Sequence, residues 1–188
     1  MLQMATFTTF TPTRAEWQQL RDKHKVPKGA VAKVSLGASL ELVTKTATTA
    51  TIAKHEAATV ALLRDVDAYI KALKGGKHAS FATVVAAKVQ GPAEKQLKLL
   101  QERKIAAGQY AGVHKAAAKL VEASADRKQL YVAFEKLSGT SNVLMAFDPA
   151  WKKQASAGRV VLASLESGKK LDADDYEQLK KALAVMKP

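Results

Sequence analysis

From Ala38 to Lys74 the chain runs 37 residues without a glycine or a proline. A single helix of that length would span roughly 55 Å. Compact domains seldom need one helix so long, whereas long bundles, coiled assemblies and extended scaffolds do. Apolar residues fall mostly three and four apart, from Val34, Leu36, Leu40 and Val43 to Leu63, Val66, Ile70 and Leu73. That spacing predicts one helix over 31–74 with a single buried stripe. Glu41–Lys45 and Asp67–Lys71 stand in the favourable i, i+4 orientation. The weak point is Thr44–Thr51, where five threonines crowd together. Threonine is β-branched and loses rotamer freedom in a helix, so a kink is expected there. Gly75-Gly76 should end the helix.

Other helices are bounded by cap and breaker residues. The first begins near Pro12, capped by Thr11 or by Thr13 with Glu16 three residues on. It ends by Val26, because Pro27 disfavours helical backbone in its predecessor. Ser80 caps the next, and Gly91-Pro92 breaks it, with Pro92 opening another helix. Gly108 and Gly112 each cost ~1 kcal/mol against alanine in a helix interior, so they mark either a break or a close helix crossing, and the crossing is the favoured reading. Asp126–Leu137 is helical, and Ser138–Phe147 reads as the longest loop, with Val143–Phe147 as core beneath it or a contact for another subunit. Asp148-Pro149 starts a helix with Trp151, Ala155, Leu162 and Leu165 as its buried stripe and Gly168 at its end. Asp172 caps the last helix, with Tyr176, Leu179, Leu183 and Met186 on one face.

The expected fold is therefore all-α: an elongated antiparallel bundle of six or seven helices, one of them very long, without strands. Residues 1–11 read as an arm carrying Phe7 and Phe10 among threonines, and 12–188 as a single helical domain. Alanine occupies 35 of 188 positions, so the core stripes are thin and stability comes from many small contacts along long seams.

The net charge of +13 points to an anionic partner: nucleic acid, an acidic protein surface or an anionic membrane face. Lysines number 24 against six arginines. Lysine is a point charge suited to non-specific backbone contact rather than to base reading. Few bulky apolar residues are available for insertion into lipid, which ranks the peripheral membrane reading below the other two. With no cysteine, disulfides, thiol catalysis and thiolate metal sites are excluded. No apolar run reaches the ~18 residues of a membrane helix, and Met1–Pro12 has no secretory pattern. A soluble chain is expected, with its compartment open.

Catalytic signatures are missing. There is no Gly-x-Ser-x-Gly elbow and no His-Glu-x-x-His. His24, His55, His78 and His114 lie in four different segments. No cofactor, no metal and no enzymatic activity are expected. Lys74-Gly75-Gly76-Lys77-His78 lacks phosphate-loop spacing and reads first as a solvated turn. Its functional reading is an anion or partner contact made by Lys71, Lys74 and Lys77 with the amides ahead of the helix near Ser80. Lys152 and Lys153 form a second such contact, and Phe7 and Phe10 an arm contact. The sequence thus points to a non-catalytic structural or adaptor subunit of a larger protein assembly. The alternative is a non-specific, salt-sensitive nucleic-acid binder. Ala-rich seams also suit self-association.

Overall fold

The computed structural model describes residues 10–31, 34–43, 48–168 and 170–188. Phe7, Lys45, Ala47 and Lys169 lie outside them. All regular structure among the described residues is helical: α1 Arg14–Lys23, α2 Leu36–Val43, α3 Ile52–Lys74, α4 Ala79–Val85, α5 Gly91–Glu122, α6 Arg127–Met145, α7 Lys152–Glu166 and α8 Ala173–Val185. A π-helical turn, Ala86–Gln90, joins α4 to α5 without a break, so 44 residues form one continuous helix and the helices number seven. No helix among the described residues is long and apolar enough to cross a membrane.

The very long helix is therefore Ala79–Glu122, and the single helix expected over 31–74 is two. Thr48–Thr51 forms a turn in which the Thr51 amide bonds the Thr48 carbonyl at 3.0 Å. The Thr48 amide is taken by the Thr51 hydroxyl at 2.9 Å. Threonine hydroxyls offer the backbone a local alternative to the helical ladder, and here that alternative prevails. Gln96 supports the end of α2 from a distance: its Nε2 donates to the carbonyl of Val43, the last residue of α2, at 3.1 Å.

Gly91-Pro92 does not break the chain, contrary to the sequence reading. Proline has no N–H for the carbonyl four residues back, and its ring clashes there. The π turn removes both problems by widening the coil one residue earlier, where the Gly91 N–H bonds the Ala86 carbonyl. The segment expected to loop, Ser138–Phe147, is helical as far as Met145. Its hydroxyls turn inward: Thr140 donates to the Lys136 carbonyl and Ser141 to that of Ser138. Leu144 and Phe147 are buried and Val143 is exposed.

Caps agree closely with the sequence. Thr13 with Glu16, Asp126 with Gln129 and Asp172 with Asp175 form reciprocal capping boxes, each side-chain cap stabilising its helix by about 1 kcal/mol. Asp148 accepts from the Ala150 amide ahead of a short 3₁₀ turn, Pro149–Trp151, that leads into α7. The cap expected from Ser80 is not made: α4 begins at Ala79 behind His78, which gives no side-chain cap. Lys25 and Ser124 adopt left-handed backbone past the ends of α1 and α5. In each case the following amide, Val26 or Ala125, reaches back to close the helix end.

The described residues gather into two compact units, one within 7–102 and one within 103–188, the division falling inside α5. The first unit packs α1 on α2, α2 on α3 and α3 on α4. Its core joins Trp17, Leu36, Leu40, Leu62, Val66, Phe81 and Val85. Trp17 meets Tyr69 edge-on at 5.6 Å and Phe81 at 5.8 Å. The second unit packs α6 on α7 and α7 on α8, around Tyr110, Leu130, Phe134, Leu137, Leu144 and Met186. Burying a large apolar side chain contributes about 1.5–3 kcal/mol, so a few such residues dominate each otherwise thin core. On α7 the buried positions are Ala155, Gly158, Val161 and Leu165. The stripe thus runs through Gly158 and Val161, with the expected Leu162 and Trp151 only part-buried.

Gly108 and Gly112 do not mark a close crossing. A Cβ added at either would meet nothing within 4 Å. The close approach lies at Gly158, where an added Cβ would stand 2.8 Å from Ser138 Cβ and 3.0 Å from Met186 Cε.

Candidate functional site: a cationic cavity and the exposed lysines

Within the first unit, α1 and α2 border a cavity of about 360 Å³. Arg14, Trp17, Gln18 and Arg21 fall three and four apart along α1, which puts them on one helix face. All four line the cavity, together with Asp22, Lys28, Tyr69 and the opening residues of α2, Leu36–Ala38. Position 37 is a glycine, and the Arg14 side chain lies over it, 3.7 Å from where a Cβ would be. Arg14 is tied to Glu41 of α2 at 2.9 Å, an exposed pair of the kind that contributes at most about 1 kcal/mol.

Arg21 differs. Its guanidinium carbon stands 5.9 Å from the centre of the Trp17 ring, within cation–π range. Its Nε is buried and has no hydrogen-bond partner among the described residues. Its charge is felt by Tyr69, whose hydroxyl is pushed up from its ordinary value by burial and pulled partly back by Arg21. Asp22 and Lys28 line the same cavity, and neither forms an ion pair with a described residue. The lining thus holds three cations against one carboxylate, and only Arg14 has its charge met by an acid.

The lysines singled out from sequence are all exposed. Lys71 and Lys74 occupy the last turn of α3, where the helix dipole favours them. Lys77 follows in the turn to α4, lining shallow clefts with His78 and Pro27. These three belong to one short stretch of the first unit. Lys152 and Lys153 belong to the second unit, at the start of α7. Phe10 is 45% exposed beside Thr11, Pro12, Leu20, Lys88 and Pro92. Phe7 lies outside the described residues, and so does the pairing expected for Lys45.

The histidines keep separate company. The His24 ring meets Phe81 at 5.2 Å, His55 is buried on α3, and His114 Nε2 lies 2.8 Å from the Leu183 carbonyl. Among the described residues no three His, Cys, Asp or Glu side chains come together in a group that could hold a metal ion.

The cavity was missed by sequence reasoning, which weighed runs of lysine. Its available signal was the i, i+3, i+7 spacing of Arg14, Trp17 and Arg21, which alternates cation and aromatic along one face. No family model matches this chain, and no curated or solved protein was found to be similar to it.

Proposed function

We propose that this chain is a non-catalytic structural or adaptor subunit, an antiparallel helical bundle that holds a partner in a larger assembly through exposed lysines. One observation carries the reading. Lys71, Lys74, Lys77, Lys152 and Lys153 are exposed, and none stands within ion-pair distance of a described carboxylate. Lys152 and Lys153 also sit at the positive end of α7, where a cation is disfavoured by some 0.3–1 kcal/mol. Charge left uncompensated, and in one place held against the local field, is charge available to a partner.

The partner on this reading is an acidic protein surface, with the exposed Phe10 as an apolar contact beside it. The experiment compares affinity capture, at physiological salt, by the wild-type chain and by K71E/K74E/K77E and K152E/K153E. A defined partner retained by the wild type and lost by a charge-reversed variant supports the reading. Equal retention by all three refutes it. Fluorescence anisotropy with a mixed-sequence duplex runs in parallel. Tight binding whose logarithm falls steeply with the logarithm of salt concentration would replace this reading with the non-specific nucleic-acid one, which draws on the same lysines.

A further inference from the structure

We propose that the groove between α7 and α8 is the docking face for a second copy of this chain, the two copies related by a two-fold axis. Gln154, in the first turn of α7, donates to the Lys187 carbonyl beyond the end of α8 at 3.4 Å. The two helices therefore run in opposite directions. The groove between them holds about 220 Å³. Its lining includes the buried Val161, Leu165 and Leu179, and Asp175 is its one charged side chain among the described residues. The chain has 30 cations against 17 acids, yet no lysine or arginine lines this groove. On its rim Val160 is 71% exposed in mid-helix. Ser156, Ala157, Ala163 and Ser164, three and four residues away, are all small, so nothing on α7 overhangs it. An apolar surface from which charge is depleted has the character of an interface core.

The distribution of charge decides the occupant. Asp174 and Asp175 lie in the first turn of α8, at one end of the groove. Lys153 lies at the start of α7, at the other end, one turn before Ala157 on the same face. Lys153 and Asp174 are both exposed, and neither is within ion-pair distance of a described residue of opposite charge. A two-fold axis beside Val160 lays α7 of each copy into the groove of the other. There it runs antiparallel to the other α7 and parallel to the other α8. Each Val160 then fills the other copy's groove, and each Lys153 reaches the other copy's Asp174 and Asp175. Every contact forms twice and the pair closes on itself. Fifteen residues make α7 about 22 Å long, so the face is smaller than a standard stable interface and the dimer is a weak one.

Lys153 is shared with the partner-binding reading, but Val160 and Asp174 are not, and they carry the test. Sedimentation equilibrium of the full chain at physiological salt, from about 10 μM to about 1 mM, should show the mass rising from monomer to dimer. Val160→Asp, at an exposed position that leaves the fold intact, is expected to weaken the dimer by about tenfold or more. Asp175 also holds the cap of α8, so the charge is tested at Asp174. Asp174→Lys and Lys153→Asp are each expected to weaken the dimer by about threefold to tenfold, and their combination to recover most of that loss, while Lys74→Glu changes nothing. A monomer mass throughout the range overturns the inference. So does unchanged association in Val160→Asp, or a combined charge exchange no better than its single changes. None of these results bears on capture by K71E/K74E/K77E, so the two readings fail separately.

Discussion

Replacing Gly158 by alanine should destabilise the unit within 103–188, although alanine is the better helix former. The added Cβ would lie 2.8 Å from both Cβ and Oγ of Ser138 and 3.0 Å from Met186 Cε. Carbon atoms rest at about 3.5–4.0 Å, so the overlap on Ser138 approaches 1 Å. Met186 ends in a flexible thioether that can swing aside, but Ser138 Cβ is fixed by the α6 backbone, so α6 and α7 must move apart. Overpacking of this kind costs about 1–3 kcal/mol, against ~1 kcal/mol returned by helix propensity. Gly108→Ala supplies the reference. It too lies inside a helix, and its Cβ would meet nothing within 4 Å, so it should stabilise the same unit by ~1 kcal/mol. Subtracting one change from the other cancels propensity and leaves the steric cost alone. Urea unfolding, resolved by hydrogen exchange and mass spectrometry into the two units, measures both variants. Adding Ser138→Gly to Gly158→Ala should recover more than the sum of the single changes, a coupling of roughly 1–2 kcal/mol. Gly158→Ala stabilising as much as Gly108→Ala would refute the close approach of α6 and α7.

Two further expectations address polar groups in the two cores. Tyr110 is buried, donates to the Met186 carbonyl at 2.8 Å, and burial pushes its hydroxyl from 10.0 up to about 12. Between those values the unfolded chain has released a proton that the native chain keeps, so stability is intact below pH 10 and falls as pH rises towards 12. Tyr110→Phe should lose about 1 kcal/mol at neutral pH through the missing hydrogen bond, yet show a shallower alkaline decline in urea midpoint; parallel declines would contradict the assignment. Gln96→Leu strips the Val43 carbonyl of the Nε2 donor, at a cost of about 1–3 kcal/mol, partly offset because the buried Oε1 of Gln96 has no donor of its own. Hydrogen exchange should accelerate within 7–102 only, and an unchanged rate there would show that the Val43 carbonyl is satisfied otherwise.

The parts of the fold legible in the sequence are those decided within one turn of helix. Thr13, Asp148 and Asp172 cap as their neighbours suggest, and Lys74 is the last residue of α3 before Gly75-Gly76. Misreadings arose where a distant or unusual acceptor settles the backbone. Pro92 is carried inside a helix because the chain adopts a π turn just before it, and no local propensity announces that. Ser138, Gly139, Thr140 and Ser141 have the composition of a loop, but α6 packs on α7 there and the hydroxyls of Thr140 and Ser141 return to their own helix. Around Thr48 the error ran the other way: periodicity argued for continuity, and hydroxyl-to-backbone bonds made a turn.

The same division between local and tertiary information governs the site. Lysines are visible in any sequence, and the exposed ones stay where periodicity puts them, on solvated helix faces. A cavity needs two elements to meet. Arg21 becomes informative only once Trp17 is beneath it and Asp22 is seen to form no ion pair with it. In a chain with 24 lysines and six arginines, a general need for positive charge is met by lysine. Two of the six arginines on one helical face, beside a buried tryptophan and a small-residue helix start, demand a geometric reason. Stacking of a planar guanidinium on an aromatic face is the property arginine has and lysine lacks, so Arg21→Lys, which preserves charge, should lower the stability of the unit within 7–102 by about 0.5–1 kcal/mol in urea unfolding through its weaker contact with Trp17. Equal stability of Arg21→Lys would reduce the contact with Trp17 to one of charge alone.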